Sequence, residues 1–194
     1  MDRDGVDAVA AMLARSFDDD PVWSHIFPDP VSRPRRLRQM FAVLVSSRLR
    51  CGDRVRVVAD AHAAALWGPP EHPHFTGRET LAQFPRMFRA FGPRGLRFLP
   101  DLRALDALAA QWKDRPHWYL DVLGVDPSRQ RSGLGSALIA DTLDRADAQG
   151  LGAYLLSSKE ENIAFYGRHG FGVVSTHTFD DGPTAWGMWR ESRV

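Results

Sequence analysis

Apolar residues recur at helical spacing near the start of the chain. The first series consists of Val6, Val9, Leu13 and Phe17, and the second of Leu37, Met40, Phe41, Leu44 and Val45. Each series predicts a helix with one apolar face, the first ending near the acidic run 18–20 and the second capped by Ser32. Residues 22–30 lie between them and are rich in aromatic side chains and proline, so we interpret them as a loop.

Strand patterns occupy the middle and the end of the chain. Their aromatic and β-branched residues are bounded by Gly, Pro and Asp, which is typical of strands. The predicted strands are 54–59, 63–67, 118–125, 153–157, 172–178 and 184–190. We predict that the first two strands pair antiparallel and that the last two do so as well, because only a short turn separates the two strands of each pair.

Further helical patterns separate these strands. The predicted helices are 81–91 with a break at Pro85, 98–112, a helix from Leu134 to a stop at Gly150, and 163–169. The first two of these helices form an insertion that spans about residues 76–115. We therefore predict an α/β (α+β) protein in which helices flank one sheet.

A turn that contains two glycines joins strand 118–125 to the helix that follows it. The first amides of a helix lack intrachain acceptors and the helix dipole is positive there, so such a turn can hold a phosphate. Gly133 and Gly135 would allow a pyrophosphate to approach the backbone, and Arg129 and Arg131 could add charge-assisted hydrogen bonds. A plain helix start would use the same glycines. The sequence has neither the Gly-Lys-Ser/Thr of a P-loop nor the third glycine of a dinucleotide-binding fold.

Composition limits the class of protein. With 194 residues, 44% of them hydrophobic, we expect a single domain over 1–194. A net charge of +1 without a basic tail gives no indication of nucleic-acid binding. The single cysteine, Cys51, excludes an intrachain disulfide, and we interpret it as a packed thiol. No stretch is long and apolar enough for a membrane span and the N-terminus has no signal-peptide pattern, so we expect a cytoplasmic protein without a membrane partner.

The glycine turn and the segments after it resemble the GNAT superfamily of N-acetyltransferases. Residues 130–135, Gln-Arg-Ser-Gly-Leu-Gly, are similar to its acetyl-CoA motif, and residues 162–171 are similar to its Asn-x-x-Phe-Tyr-x-x-x-Gly-Phe segment. Within the superfamily, residues 118–189 most resemble the puromycin N-acetyltransferase group. The resemblance implies an acceptor-side half, 1–116, and an acetyl-CoA-binding half, 117–194. It also implies a single mixed, mostly antiparallel sheet, splayed at the acetyl-CoA site.

One expected element of that fold is absent from the sequence pattern. GNAT domains place a strand before the first helix, and here the helical pattern starts almost at residue 1. Either the true start lies upstream, in which case the genome encodes a short β-rich segment there, or the sheet lacks its first strand.

The resemblance also assigns roles to particular residues. It implies that the backbone of Leu123, Gly124 and Val125 pairs with the pantetheine arm, and that one of these amides polarises the thioester carbonyl. The pyrophosphate would lie on Gln130, Arg131, Ser132, Gly133, Leu134, Gly135 and Ser136. Asn162 and Phe165 would contact the cofactor arm, with helix capping and packing as their alternative roles. Tyr166 would protonate the departing thiolate, and packing beside Phe165 is its alternative role.

The residue that accepts the amine proton is not evident from the sequence. In the puromycin-acetylating group a glutamate stands at the position of Leu156, which cannot take a proton. Asp121, His25 or a water chain ending at Asp20 could replace it, and ordinary structural roles are open to all three. A positioned base contributes about 10²–10⁴-fold, so its loss would slow the reaction without abolishing it.

These observations predict acetyl-CoA-dependent transfer of an acetyl group to the primary amine of a small molecule, in a ternary complex. The alternatives are an acyl-CoA-binding sensor with little turnover and a protein or peptide N-acetyltransferase. We expect a monomer or a homodimer. The segment 71–74, Glu-His-Pro-His, lacks a third ligand at a suitable spacing, so we interpret it as a solvated loop and expect no metal.

Overall fold

The computed structural model describes residues 1–50, 54–58, 61–74, 77–92 and 97–193. Its helices are α1 (Arg3–Ser16), α2 (Pro21–Ile26), α3 (Arg33–Arg50), α4 (Gly77–Phe91), α5 (Leu99–Ala110), α6 (Leu134–Ala148) and α7 (Glu161–Arg168). Its strands are β1 (Arg54–Val58), β2 (Ala63–Gly68), β3 (His117–Val125), β4 (Gly152–Ser157), β5 (Gly172–Thr178) and β6 (Thr184–Arg190). A short 3₁₀ turn, Pro127–Arg129, lies between β3 and α6.

The described strands form one six-stranded sheet in the order β1-β2-β3-β4-β6-β5. Every neighbouring pair is antiparallel except β3 with β4, which is parallel. That parallel pairing runs from His117 opposite Gly152 to Leu120 opposite Leu155 and ends there. The C-terminal half of β3 therefore leaves β4, and the mixed, mostly antiparallel sheet with a splayed gap that the sequence predicts is confirmed.

Helices cover both faces of the sheet because the central strands are apolar on both sides. On β2, Ala64 and Leu66 pack into a core with α1, α2 and α3, whereas Ala63, Ala65 and Trp67 pack with α6 and α7 on the opposite face. This alternation follows from the two-residue period of a strand. In the part of the chain that the structure describes, no strand precedes α1, as the pattern predicts, and β1 is an edge strand.

Two of the predicted loop and capping features are wrong. Residues 22–30 contain α2, because Asp20 accepts the amide of Trp23 as an N-cap and Pro21 occupies the first turn, where proline is tolerated. Ser32 does not cap α3 through its hydroxyl, which donates to Asp29 Oδ2 at 2.6 Å.

The break expected at Pro85 is also wrong. Helix α4 continues through Pro85, since a proline removes one hydrogen bond and can bend a helix without ending it. Cys51 and Ala59, at the predicted end of α3 and the end of β1, lie outside the described residues.

A buried ion pair fixes α6 against β6. The guanidinium of Arg190, a residue only 3% exposed, donates to both carboxylate oxygens of Asp147 at 2.7 and 2.6 Å. The hydrogen bond from Arg190 holds the pKa of Asp147 below its usual range. The pair thus anchors the C-terminal end of the helix whose N-terminus borders the site described below.

We expect Asp147→Ala to lower the free energy of unfolding by about 3 kcal/mol, because Arg190 would remain buried without its partner. The lowered pKa of Asp147 means that this contribution is present above the ordinary carboxyl range and is lost as the pH falls below it. Urea unfolding of parent and variant at neutral and acidic pH measures both effects. Asp144→Ala removes an exposed carboxylate of the same helix and should change stability little. Equal losses in the two variants would contradict the assignment.

Candidate acetyl-CoA site

A cavity of about 820 Å³ lies where β3 leaves β4. It is bounded by the α1–α2 turn, the end of β3, the N-terminus of α6 and one side of α7. The sequence-predicted site residues that line it are Leu123, Val125, Gln130, Arg131, Gly133, Leu134, Gly135, Ser136, Asn162, Phe165 and Tyr166. The fold therefore brings residues separated by more than forty positions to one cavity. Gly124 and Ser132 do not line it.

The glycine turn presents the amide end of α6 to this cavity. Gly133 is the N-cap of α6 with φ +85°, a left-handed conformation that favours glycine, and no side chain caps the helix. A Cβ at Gly133 would meet no atom within 4 Å, so a side chain there would project into open space. At Gly135 a Cβ would make ordinary contacts with Phe165 at 3.5 Å and Val125 at 3.7 Å. Glycine at 133 is thus required by backbone conformation, and glycine at 135 is not.

Polar side chains around this turn hold its shape. The Ser132 hydroxyl donates to the carbonyl of Arg129 at 2.5 Å, which explains why Ser132 supports the turn without lining the cavity. Ser136 Oγ lies 3.0 Å from His169 Nε2, and this link to the end of α7 was missed by the sequence reasoning. Arg129, Arg131 and Arg168 also line the cavity, so its wall carries three cationic side chains in addition to the amide end of α6. Arg168 was also missed, because one arginine in a helical segment has no distinctive pattern.

The end of β3 provides backbone groups on the cavity side. The Asp126 amide donates to His62 toward β2, and the Val125 amide donates to Ser16 Oγ at 3.2 Å. Because amides alternate in direction along a strand, the Leu123 amide points to the same side as that of Val125, into the splayed gap. A Cβ at Gly124 would lie 2.5 Å from Leu13, so this glycine is required for the packing of α1 against β3.

Tyr166 is buried at the wall of the cavity, with 7% of the residue exposed. Its ring packs edge-on against Phe165, with ring centroids 5.0 Å apart, and against Phe171. Burial raises the pKa of Tyr166 well above its ordinary value, and the negative charge of Asp20 raises it further. The phenol therefore stays protonated and can act only as a proton donor near neutral pH.

The three residues considered as the base lie in different environments. Asp20 lines the cavity and is 2% exposed. The His25 ring packs edge-on against Phe98 and Phe179 and is not part of the cavity wall. Asp121 accepts a hydrogen bond from Arg48 at 3.1 Å and is not part of the wall either.

Other predicted features have ordinary structural roles. Leu156 packs with Tyr154 and Trp189 in a small apolar cluster. His72 pairs with Glu79 at 3.0 Å, and the His74 ring lies against Tyr119. Burial lowers the pKa of His74 to about 4. Among the described residues, no group of three or more His, Cys, Asp or Glu side chains is arranged to hold a metal ion, and no helix is long and apolar enough to span a membrane.

Comparison with known proteins agrees with this geometry. Residues 96–171, which contain the glycine turn and α7, match the model of the Acetyltransferase (GNAT) family.

Three solved structures share the fold. A Corynebacterium glutamicum structure, described as histone acetyltransferase HPA2 and related acetyltransferase, is 24% identical with a TM-score of 0.69, covering 100% of this chain and 94% of its own. A putative GNAT acetyltransferase from Desulfovibrio desulfuricans is 19% identical with a TM-score of 0.50, and the match covers 94% of this chain and 91% of that structure's chain. The C-terminal condensation domain of Ebony, in complex with beta-alanyl-dopamine, is 12% identical with a TM-score of 0.63, and the match covers 98% of this chain and 96% of that structure's chain.

Proposed function

We propose that this protein transfers the acetyl group of acetyl-CoA to the primary amine of a small molecule, by direct attack in a ternary complex. The observation that carries the proposal is the single cavity that combines the uncapped N-terminus of α6, the free edge of β3 and the buried phenol of Tyr166. Acetyl-CoA would supply an acetyl group activated as a thioester.

Each part of the cavity suits one part of that reaction. The α6 amides and the arginines at positions 129, 131 and 168 would hold the phosphates. The Leu123 amide would hydrogen-bond the substrate and polarise a carbonyl placed in the splayed gap. Tyr166 would donate a proton to the departing sulfur. Asn162 and Phe165 would orient the substrate arm along α7.

A small-molecule acceptor and the puromycin N-acetyltransferase-like subgroup are parts of this proposal. Support for the subgroup is the match of residues 162–171 and the ending 182–188, Gly-Pro-Thr-Ala-Trp-Gly-Met, to that group's pattern. The names of the neighbouring structures include both a histone acetyltransferase and a domain bound to beta-alanyl-dopamine, so they leave the acceptor open. A cytoplasmic location and a monomeric or homodimeric state likewise stay predictions.

We expect thiol release above background when the protein is incubated with acetyl-CoA and small primary amines, including aryl-containing ones. The panel should contain aliphatic amines, arylalkyl amines, puromycin and short peptides with free N-termini or lysines. Gly133→Val, which should not bind acetyl-CoA, supplies the background rate. Binding of acetyl-CoA without turnover on any amine would favour the sensor, and turnover restricted to peptides would favour protein acetylation.

A further inference from the structure

We propose that Asp20 accepts the proton of the attacking amine, an assignment that rests on the acetyl transfer proposed above. Asp20 stands at the α1–α2 turn, directly before α2, and its side chain lines the cavity that Tyr166 also lines. It is 2% exposed, so the carboxyl group is shielded from bulk water. Among the three residues that could replace the missing glutamate, it alone is part of the cavity wall.

Two hydrogen bonds hold the carboxylate of Asp20 in one orientation. Oδ1 accepts the amide of Trp23 at 3.1 Å, and Oδ2 accepts the hydroxyl of Ser158, which follows β4. An ionised carboxylate has about four lone-pair sites, so each oxygen keeps the capacity for one more donor. Asp20 can therefore receive an N–H from the amine without giving up either bond. Helix capping requires only the bond to Trp23, so it does not account for the contact with Ser158 or for the burial of Asp20 in the cavity wall.

The surroundings of Asp20 adjust its basicity in the direction that a general base needs. Burial raises the pKa of Asp20 above its ordinary value, and hydrogen bonds from Ser158 and Trp23 together with the charge of Lys159 oppose part of the rise. Lys159 also pairs with Asp19 at 2.7 Å, so its charge is shared between two carboxylates. A raised pKa moves the carboxyl group closer to neutral pH, where a proton acceptor is most effective.

Asp20 and Tyr166 are electrostatically coupled. Burial raises the pKa of Tyr166 and the negative charge of Asp20 raises it further, so the phenol is a weak acid while Asp20 is ionised. When Asp20 takes the amine proton, that charge disappears and the pKa of Tyr166 falls. Proton removal from the amine thus makes Tyr166 a better donor for the sulfur at the next step.

Asp20 and Tyr166 together account for each proton that moves in the reaction. The amine nitrogen forms a bond to the acetyl carbon while its proton moves to Asp20. The carbon–sulfur bond then breaks, and Tyr166 gives its proton to the sulfur. Asp20 finally releases its proton to solvent, and Tyr166 takes one proton from solvent. The products are the amide and the free thiol, and the protein ends in the state in which it began.

Asp20→Asn is the variant that tests this assignment. Asparagine keeps an oxygen for the Trp23 amide and is an equally good N-cap, so α2 should be preserved. We expect turnover on a good amine to fall by about 10²-fold, while acetyl-CoA affinity changes by no more than about twofold. The fall of kcat at acidic pH should disappear, because the carboxyl group at position 20, whose protonation would cause it, is gone. Thermal unfolding followed by circular dichroism checks that the variant is folded.

Two further variants separate proton transfer from structure. Ser158→Ala removes a hydrogen bond that lowers the pKa of Asp20, so the midpoint of the acidic limb of kcat should move to higher pH. His25→Phe keeps an aromatic ring against Phe98 and Phe179, so it should leave that midpoint unchanged.

The outcomes distinguish this assignment from the proposed function. An active parent with an Asp20→Asn variant of similar rate and pH dependence would overturn the role of Asp20 and leave the proposed function standing. A slower variant that kept the acidic limb would show Asp20 to be only a helix cap, which also overturns it. A parent that binds acetyl-CoA but acetylates no amine would overturn the proposed function, and the assignment with it.

Discussion

Acetyl-CoA affinity is expected to fall by about 10²-fold or more in Gly133→Val. Gly133 lines the cavity at the N-terminus of α6, and a side chain there would project into open space and keep a pyrophosphate away from the amides of the turn. Losing two charge-assisted hydrogen bonds to a phosphate, each contributing about 1.5–3 kcal/mol, accounts for a change of this size. Isothermal titration calorimetry with acetyl-CoA measures it directly.

Backbone strain must be separated from blocked access in this experiment. Gly133 has φ +85°, and a β-branched residue there is strained by about 1–3 kcal/mol. Gly150 supplies a matched control, because it follows the other end of α6, has φ +65° and would also meet no atom within 4 Å. Gly150→Val should lose similar stability and keep the parent's affinity. Equal affinity in all three proteins would exclude α6 as the phosphate-binding element.

Turnover is expected to fall by about 10²-fold or more in Tyr166→Phe, with little change in acetyl-CoA affinity. The departing thiolate, with cysteine at about pKa 8.5 as its model, is an imperfect leaving group at neutral pH, so a donated hydrogen bond should help measurably. Phenylalanine keeps the ring that packs against Phe165 and Phe171 and removes only the hydroxyl. Steady-state kinetics on the best amine and calorimetry with acetyl-CoA separate the two effects.

The high pKa of Tyr166 gives this prediction a second readout. Because burial and Asp20 keep the phenol protonated, the parent should show no loss of kcat from Tyr166 ionisation at moderately alkaline pH. Phe171→Leu offers a comparison, since Phe171 packs against Tyr166 outside the cavity wall and its replacement leaves the hydroxyl in place. A rate within a fewfold of the parent in Tyr166→Phe would show that Tyr166 only packs, and the proton would then come from solvent or another group.

Sequence patterns predict the secondary structure correctly where local preference and tertiary packing favour the same element. The strand pair 172–178 and 184–190 is predicted at its observed bounds, because a turn segment separates two runs of strand-forming residues. The start of α6 at Leu134 also follows from sequence alone, since glycines precede a continuous apolar stripe. The sequence pattern does not predict helix α2. Asp20 and Pro21 are typical both of the end of one helix and of the start of the next, and the sequence alone does not distinguish these two roles.

The sequence by itself determined the strand pair 172–178 and 184–190 and the glycine turn that starts α6, because both depend on contacts between residues close along the chain. It did not determine which of the three candidate bases lines the cavity. Asp20, His25 and Asp121 were equally plausible as residues, and the tertiary structure placed Asp20 in the cavity wall while packing His25 on aromatic rings and pairing Asp121 with Arg48. The reason is physical. The burial of Asp20 depends on contacts such as the one with Ser158, which is 138 residues away along the chain, and a local sequence pattern carries no information about such contacts.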